Sequence, residues 1–192
     1  MKQVSLINII FESGMGGNFL SQLIVNAYLQ SIDGKLDKSL IYRKENNEYL
    51  HTAFNPLLDR VHPFTLEPSL YAKLRTSKNI VINCTKELFP AVTNLGLYKQ
   101  RYRQSGDLRS LPKDIPTDAW PGYQAVLVEI FPNKEYFEID YEDMLININI
   151  ESIQHMLDYL CIPAFMATDI AIQIENYGKN NKHLLIEMGY NG

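Results

Sequence analysis

Hydrophobic positions in this chain come in two textures, and the textures alternate. The first is a short unbroken run, Leu6-Ile7-Asn8-Ile9-Ile10-Phe11, rich in β-branched residues and closed by the turn formers Ser13 and Gly14. That pattern predicts a strand buried on both faces, as in the middle of a parallel sheet. The second is a stripe at helical spacing, Phe19, Leu20, Leu23, Ile24 and Ala27, opened by Asn18. The pair then repeats. Ile80 to Cys84 (IVINC) is a second buried run, and Leu88, Ala91, Val92, Leu95 and Tyr98 form the following stripe, with Pro90 tolerable in its first turn. Further on, Trp120-Pro121-Gly122-Tyr123 reads as a turn, Gln124 to Phe131 as a short buried helix and Glu135 to Ile139 as a strand. Ile153, Met156, Leu157 and Leu160 mark another amphipathic helix. The chain after Pro163 reads as helical, with a break expected at Gly178. Between the first two units, Leu40 to Phe54 is compatible with a short helix carrying Arg43, Lys44, Glu45 and Glu48 on a solvated face. Asn55-Pro56, His62-Pro63 and Glu67-Pro68 divide the next stretch into loops and short turns. Strands alternating with helices predict an α/β class with a mainly parallel sheet. The Leu6–Phe11 and Ile80–Cys84 strands are expected to be neighbours or near neighbours, which puts the turns after Phe11 and Cys84 on one sheet edge.

Composition adds bounds. At 192 residues the chain suits a single domain, 1–192, with a proper core; it is 46% hydrophobic and 21% charged. A net charge of −4 gives no global sign of a nucleic-acid partner. Cys84 and Cys161 are far apart in apolar contexts, without metal-ligand spacing, and read as structural thiols. No segment approaches the roughly 18 apolar residues that span a membrane. Met1-Lys2-Gln3 lacks the layout of a signal peptide, and a reducing, cytoplasmic setting is expected.

Candidate chemistry concentrates in the first turn. A buried strand, then Gly14, Gly16 and Gly17, then a helix is how α/β proteins build an anion site. Glycines admit close backbone approach, and the first helical N–H groups and the helix dipole favour negative charge. The loop is not a Walker A motif, since no Lys follows Gly17, and Gly14-Met15-Gly16-Gly17 has only the first spacing of GxGxxG. Glu12 sets a carboxylate beside the glycines, and Ser13 lacks the surroundings of a nucleophile elbow. Lys99 to Lys113 is the one locally basic tract, with Arg101, Arg103 and Arg109.

Three segments together resemble the sulfotransferase fold, a P-loop-like α/β fold with a central, mainly parallel sheet flanked by helices in three layers. Gly14-Met15-Gly16-Gly17-Asn18-Phe19-Leu20 is similar to the family's 5′-phosphosulfate loop, with Gly16 at the glycine, Gly17 at the small residue and Asn18 at the hydroxyl position. Gly14 stands where the family has a basic residue. Ile80 to Cys84 resembles the strand before the 3′-phosphate site; Thr85 falls at the family's Arg and Thr93 at its Ser, with Lys86 the nearest cation. Glu135 to Leu145, then Ile153 to Pro163, resembles the strand, YEDL and LxxP stretch, which is mostly structural in the family.

The resemblance implies 3′-phosphoadenosine-5′-phosphosulfate as sulfuryl donor, adenosine 3′,5′-bisphosphate as product, a hydroxyl or amine on a small molecule or glycan as acceptor, and no metal. It implies contacts to the donor from Ser13 through Phe19 and from Thr85, Lys86 and Thr93. Arg101 or Arg103, with Lys86, is expected to supply the charge missing from the loop, and a lysine at position 14 to strengthen binding. An aspartate at position 17 is expected to block binding without unfolding the chain. Transfer needs position, charge stabilisation and a base; His51, His62 and Glu12 are the candidate bases, and His155 reads as structural. Two other classes fit the eroded motifs. One is a non-catalytic nucleotide- or glycan-binding module, whose mark is a loop filled by side chains such as Glu12, Met15 and Phe19. The other is a diverged P-loop nucleotide kinase, which needs a Lys and a Mg²⁺ ligand absent from the expected places.

Overall fold

The computed structural model describes residues 7–12, 14–33, 44–45, 48–49, 58–61, 68–76, 78–105 and 119–190. The first apolar run forms β1 (Ile7–Ile10), buried at all four positions. Two very short strands, β2 (Lys44–Glu45) and β3 (Glu48–Tyr49), pair antiparallel. They replace the short helix expected there; the rest of that stretch lies outside the described residues. Next comes β4 (Leu58–Val61), in a stretch expected to be loops and turns. Its LDRV sequence shows no alternation, and it becomes a strand because β1 offers it a parallel edge. The second apolar run is β5 (Lys78–Asn83), and β6 spans Phe137–Asp140. The main sheet has the order β4-β1-β5-β6, with every pairing parallel. The two expected neighbours are therefore bonded to each other, with Ile9 opposite Ile80 and Ile10 opposite Val81. Both are inner strands, which is why their runs are continuously apolar, while edge strand β6 buries only Ile139. This is an α/β fold with a small parallel sheet and packed helices.

β5 begins earlier than its apolar run because it takes in a polar residue. Asn79 is 0% exposed and lies directly beside Asn8, which is 2% exposed. Asn8 Nδ2 donates to Asn79 Oδ1 at 2.9 Å, and Asn79 Nδ2 donates to the Leu74 carbonyl at 2.8 Å. Leu74 belongs to the short helix α2 (Tyr71–Arg75), so the asparagine pair ties that helix to both inner strands.

Helix α1 (Gly17–Asp33) buries Leu20, Leu23, Ile24 and Ala27, as its stripe predicts. Helix α3 (Phe89–Ser105) carries Pro90 as its second residue, where no intrahelical N–H is needed. Helix α4 (Ala119–Ile130) starts earlier than expected: Trp120 to Tyr123 is its first turn rather than a separate one. Pro121 is tolerated there because the first four N–H groups of a helix have no partner anyway. That turn grips the end of β5. The Trp120 indole N–H donates to the Cys84 carbonyl at 3.0 Å, the Tyr123 hydroxyl to the Ile82 carbonyl at 2.7 Å, and Gln124 Nε2 to Asn83 Oδ1 at 2.7 Å.

After β6 the chain makes one π-helical turn, Glu142–Ile146, and Ile148 takes a left-handed conformation at φ 57°. Asp143 stitches this turn to helix α5 (Ile150–Leu160) through Ser152 and the helix cap Asn149. Cys161, left-handed at φ 60°, ends α5 ahead of Pro163. A single turn at Ala164–Met166 leads into α6 (Ala167–Glu187). Gly178 does not break α6. A Cβ there would lie 3.1 Å from the Leu145 carbonyl, so the glycine lets the π turn pack on an unbroken helix.

The asparagine pair generates a stability test. Asn8→Ala and Asn79→Ala are each expected to destabilise by about 1–3 kcal/mol, because each leaves a buried amide unsatisfied. The double variant is expected to lose less than the sum, as contacting residues couple. Urea denaturation of the four proteins measures both; additive losses would remove the pair from this role.

Candidate functional site

The sheet order locates the site. From β1 the main-sheet path goes out to β4 and then crosses to β5 on the other side. The carboxyl ends of β1 and β5 thus flank a topological switch point, where open α/β sheets bind ligands. The glycine turn leaves β1 there, and Cys84 to Leu88 leaves β5.

Each glycine in the turn answers to a different neighbour. Gly14 sits at φ 89° and Gly16 at φ 72°. The Met15 N–H closes the turn on the Glu12 carbonyl at 3.1 Å, while Met15 itself is fully buried and accepts the Glu12 N–H on sulfur at 3.3 Å. A Cβ on Gly14 would fall 1.8 Å from the Val92 carbonyl oxygen of α3, so backbone presses on backbone. A Cβ on Gly17 would fall 2.1 Å from the Phe11 ring. At Gly16 it would meet the Tyr177 hydroxyl at 3.1 Å and Leu145 at 3.3 Å. The Tyr177 ring in turn stacks on Phe19, with centroids 4.1 Å apart and planes at 7°.

Two expectations about this loop are corrected. A lysine at position 14 cannot restore the family's cation, because α3 occupies the space and the φ angle disfavours any side chain. An aspartate at position 17 would collide with Phe11 inside the core, so it would damage the fold as well as any ligand site.

The other candidates divide. Glu12 is half-buried at the mouth of β1, and its charge adds to burial in raising the Tyr123 phenol pKa. Asn18 is exposed on the first turn of α1. Thr85 and Lys86 are exposed on the turn after β5, where Thr85 Oγ1 accepts the Leu88 N–H at 3.3 Å and the Thr85 carbonyl accepts the Phe89 N–H at 3.0 Å. Thr85 thus starts α3, a capping role rather than that of an Arg. Thr93 is buried, and its hydroxyl donates back to the Phe89 carbonyl of its own helix at 2.7 Å. Arg101 and Arg103 lie near the end of α3. Ser13, His51 and His62 lie outside the described residues. His155, expected to be structural, is exposed on α5, as is His183 on α6.

Tyr177, Phe11, Leu145 and Trp120 shape this edge without any local signal in the sequence; Tyr177 comes from α6, far along the chain from the loop it touches. Cys84 is a buried thiol pushed up to about 12 by burial first, then by Asp140 and Glu142, and it is no nucleophile. Cys161 is exposed. Among the described residues, no three His, Cys, Asp or Glu side chains gather as a metal site, and no helix is long and apolar enough to cross a membrane. No protein-family model, curated protein or solved structure matches the chain.

The geometry sets two expected outcomes. Gly14→Ala should lower stability by more than about 3 kcal/mol, through overpacking and a forced left-handed φ; an unchanged melting curve would show that α3 does not press on the turn. The Cys84 thiol should stay unlabelled by a thiol reagent at pH 8 in the native chain while Cys161 reacts. Its folded pKa is raised, so its contribution to stability is complete below about 9 and lost as pH climbs from 9 towards 12. Replacing Cys84 by Ala should flatten that alkaline loss in denaturation curves.

Proposed function

We propose that this chain is a sulfotransferase-like protein that holds the 5′-phosphosulfate of 3′-phosphoadenosine-5′-phosphosulfate on the turn between β1 and α1. The observation that carries this reading is the glycine turn at the switch point, ending on a helix N-terminus. Backbone amides of Gly16, Gly17 and Asn18 are the natural donors to an oxyanion there. The Tyr177 hydroxyl lies beside Gly16 in this turn. On this reading the fold is the three-layer P-loop-like type, and the setting is a reducing cytoplasm.

The reaction moves a sulfuryl group to a hydroxyl or amine of a small molecule or glycan and leaves adenosine 3′,5′-bisphosphate. Glu12 is the described candidate for taking the acceptor's proton, with His51 and His62 the others. Lys86, with Arg101 or Arg103, is the candidate source of the positive charge missing from the loop. With no cation at position 14, the charge that develops as sulfate leaves is less well stabilised, which slows chemistry about 10²–10³-fold by analogy with a lost oxyanion donor. Binding therefore outlasts turnover.

A second reading, a non-catalytic nucleotide- or glycan-binding module, is favoured by one observation: Met15 and the Phe19–Tyr177 stack fill and cover the turn with side chains. Calorimetry with adenosine 3′,5′-bisphosphate, together with a sulfuryl-transfer assay, separates the readings. We expect the bisphosphate to bind, transfer to be slow, and replacement of Lys86 and Arg103 by Ala to weaken binding by about 1.5–3 kcal/mol at low salt. Binding without transfer to any acceptor would support the module. No binding of either bisphosphate or phosphosulfate would overturn both.

A further inference from the structure

Cys161 is the exposed one of the two thiols, and a lysine touches it. Lys78 Nζ lies 3.7 Å from Cys161 Sγ, although the two residues are 83 positions apart in the chain. We propose that this pair is a redox switch: a peroxide oxidises Cys161, and Lys78 closes on the oxidised sulfur to form a reversible sulfur–nitrogen cross-link. The pair sits at the amino end of β5, so the switch does not rest on any ligand at the glycine turn, which lies at the carboxyl end of the sheet.

The fold holds both reacting atoms in place. Lys78 is the first residue of β5, and Cys161 ends α5 in a left-handed conformation at φ 60°. The last turn of a helix leaves carbonyls without intrahelical partners and favours a cation. Lys78 Nζ answers that need by donating to the Tyr159 carbonyl at 2.8 Å. The same nitrogen lies 5.4 Å from the centre of the Tyr159 ring, a second place where a cation is favoured. Tyr159 is held in turn by the start of β5. Its hydroxyl accepts the Asn79 N–H and donates to the Asn79 carbonyl, each at 3.2 Å. Carbonyl and ring thus set the nitrogen beside the sulfur, and a bond between the two needs only side-chain rotation.

The chemistry balances with hydrogen peroxide as the oxidant. The Cys161 thiolate attacks the peroxide; an S–O bond forms, the O–O bond breaks, and sulfur gives up two electrons to become a sulfenic acid. The departing hydroxide takes a proton from the Lys78 ammonium, which leaves water and a neutral amine. The amine attacks sulfur, an S–N bond forms and the S–O bond breaks. The second hydroxide leaves with a proton from nitrogen, again as water. Contact with sulfur gives this amine its advantage over a second peroxide or a second thiol. An added thiol reverses the link by attacking sulfur and expelling the amine. While it lasts, the link ties the end of α5 to the start of β5 and closes a long loop, which stabilises the folded chain.

The test treats the full chain with hydrogen peroxide and maps its peptides by mass. We expect a joined peptide holding Lys78 and Cys161, lighter by two hydrogen atoms than the separate pair, which dithiothreitol takes apart. The melting temperature is expected to rise on oxidation and to return on reduction. Lys78→Arg keeps the charge and removes the nucleophilic amine; Cys161 is then expected to gain oxygen without any joined peptide. Cys161→Ser is expected to show neither the link nor the shift in melting. Melting curves of the unoxidised variants check that both fold. Oxidation in urea is expected to cut the yield of the link at least about tenfold, because the fold supplies the proximity. A wild-type Cys161 that only gains oxygen, a Cys161–Cys161 dimer as the main product, or a link formed equally well in urea overturns the proposal.

Discussion

The close approach of the Gly14 turn to the backbone of α3 constrains everything at the carboxyl edge of the sheet. A side chain at position 14 would fall on the Val92 carbonyl oxygen, so the helix can lie where it does only because nothing is there. That contact fixes the distance between β1 and the helix that follows β5. Parallel pairing of β1 with β5 already brings the ends of the two inner strands into one place. The same contact forbids a basic residue at that point. A loop that resembles a phosphosulfate loop in its glycines therefore differs from it at position 14 for a packing reason.

The opposite wall of the edge is built by groups that hold backbone carbonyls. Trp120 and Tyr123 spend their polar atoms on the carbonyls of Cys84 and Ile82, and Gln124 holds Asn83. Beyond it Thr85, Lys86 and Glu87 are exposed. Burial of Cys84 among these groups keeps its thiol protonated, with Asp140 and Glu142 adding to the effect.

Tyr177 joins the glycine turn to the π turn. Its hydroxyl reaches the glycine turn, its ring stacks on Phe19, and it borders a cavity beside the π turn. The stitching of Asp143 to Ser152 and Asn149 holds the π turn, and Gly178 gives it a seat on α6. The stretch that resembles a family's structural motif thus has a local consequence, a pocket wall, that the motif itself does not announce.

Strands buried on both faces declare themselves in sequence because they are mostly apolar, with the buried Asn8 and Asn79 bonded to each other, and β1 and β5 were legible for that reason. The helices after them were legible from their stripes, and the α/β class from the alternation of the two. What the sequence did not carry was anything decided across the chain. β4 is a strand only because β1 has an edge to pair with. Trp120 to Tyr123 is the first turn of a helix that docks its polar atoms on the carbonyls of Cys84 and Ile82. Gly178 stays within α6 because the Leu145 carbonyl needs the room. For the site, the glycine turn was visible by spacing, but the reason for each glycine was not, since Val92, Phe11 and Tyr177 come from three other elements. Thr93 matched a motif position and yet turns its hydroxyl to its own helix. Local pattern by itself determined which segments are strand or helix and where the first turn falls. Only the tertiary structure decided which side chains face that turn, because distance along the chain says nothing of distance in space.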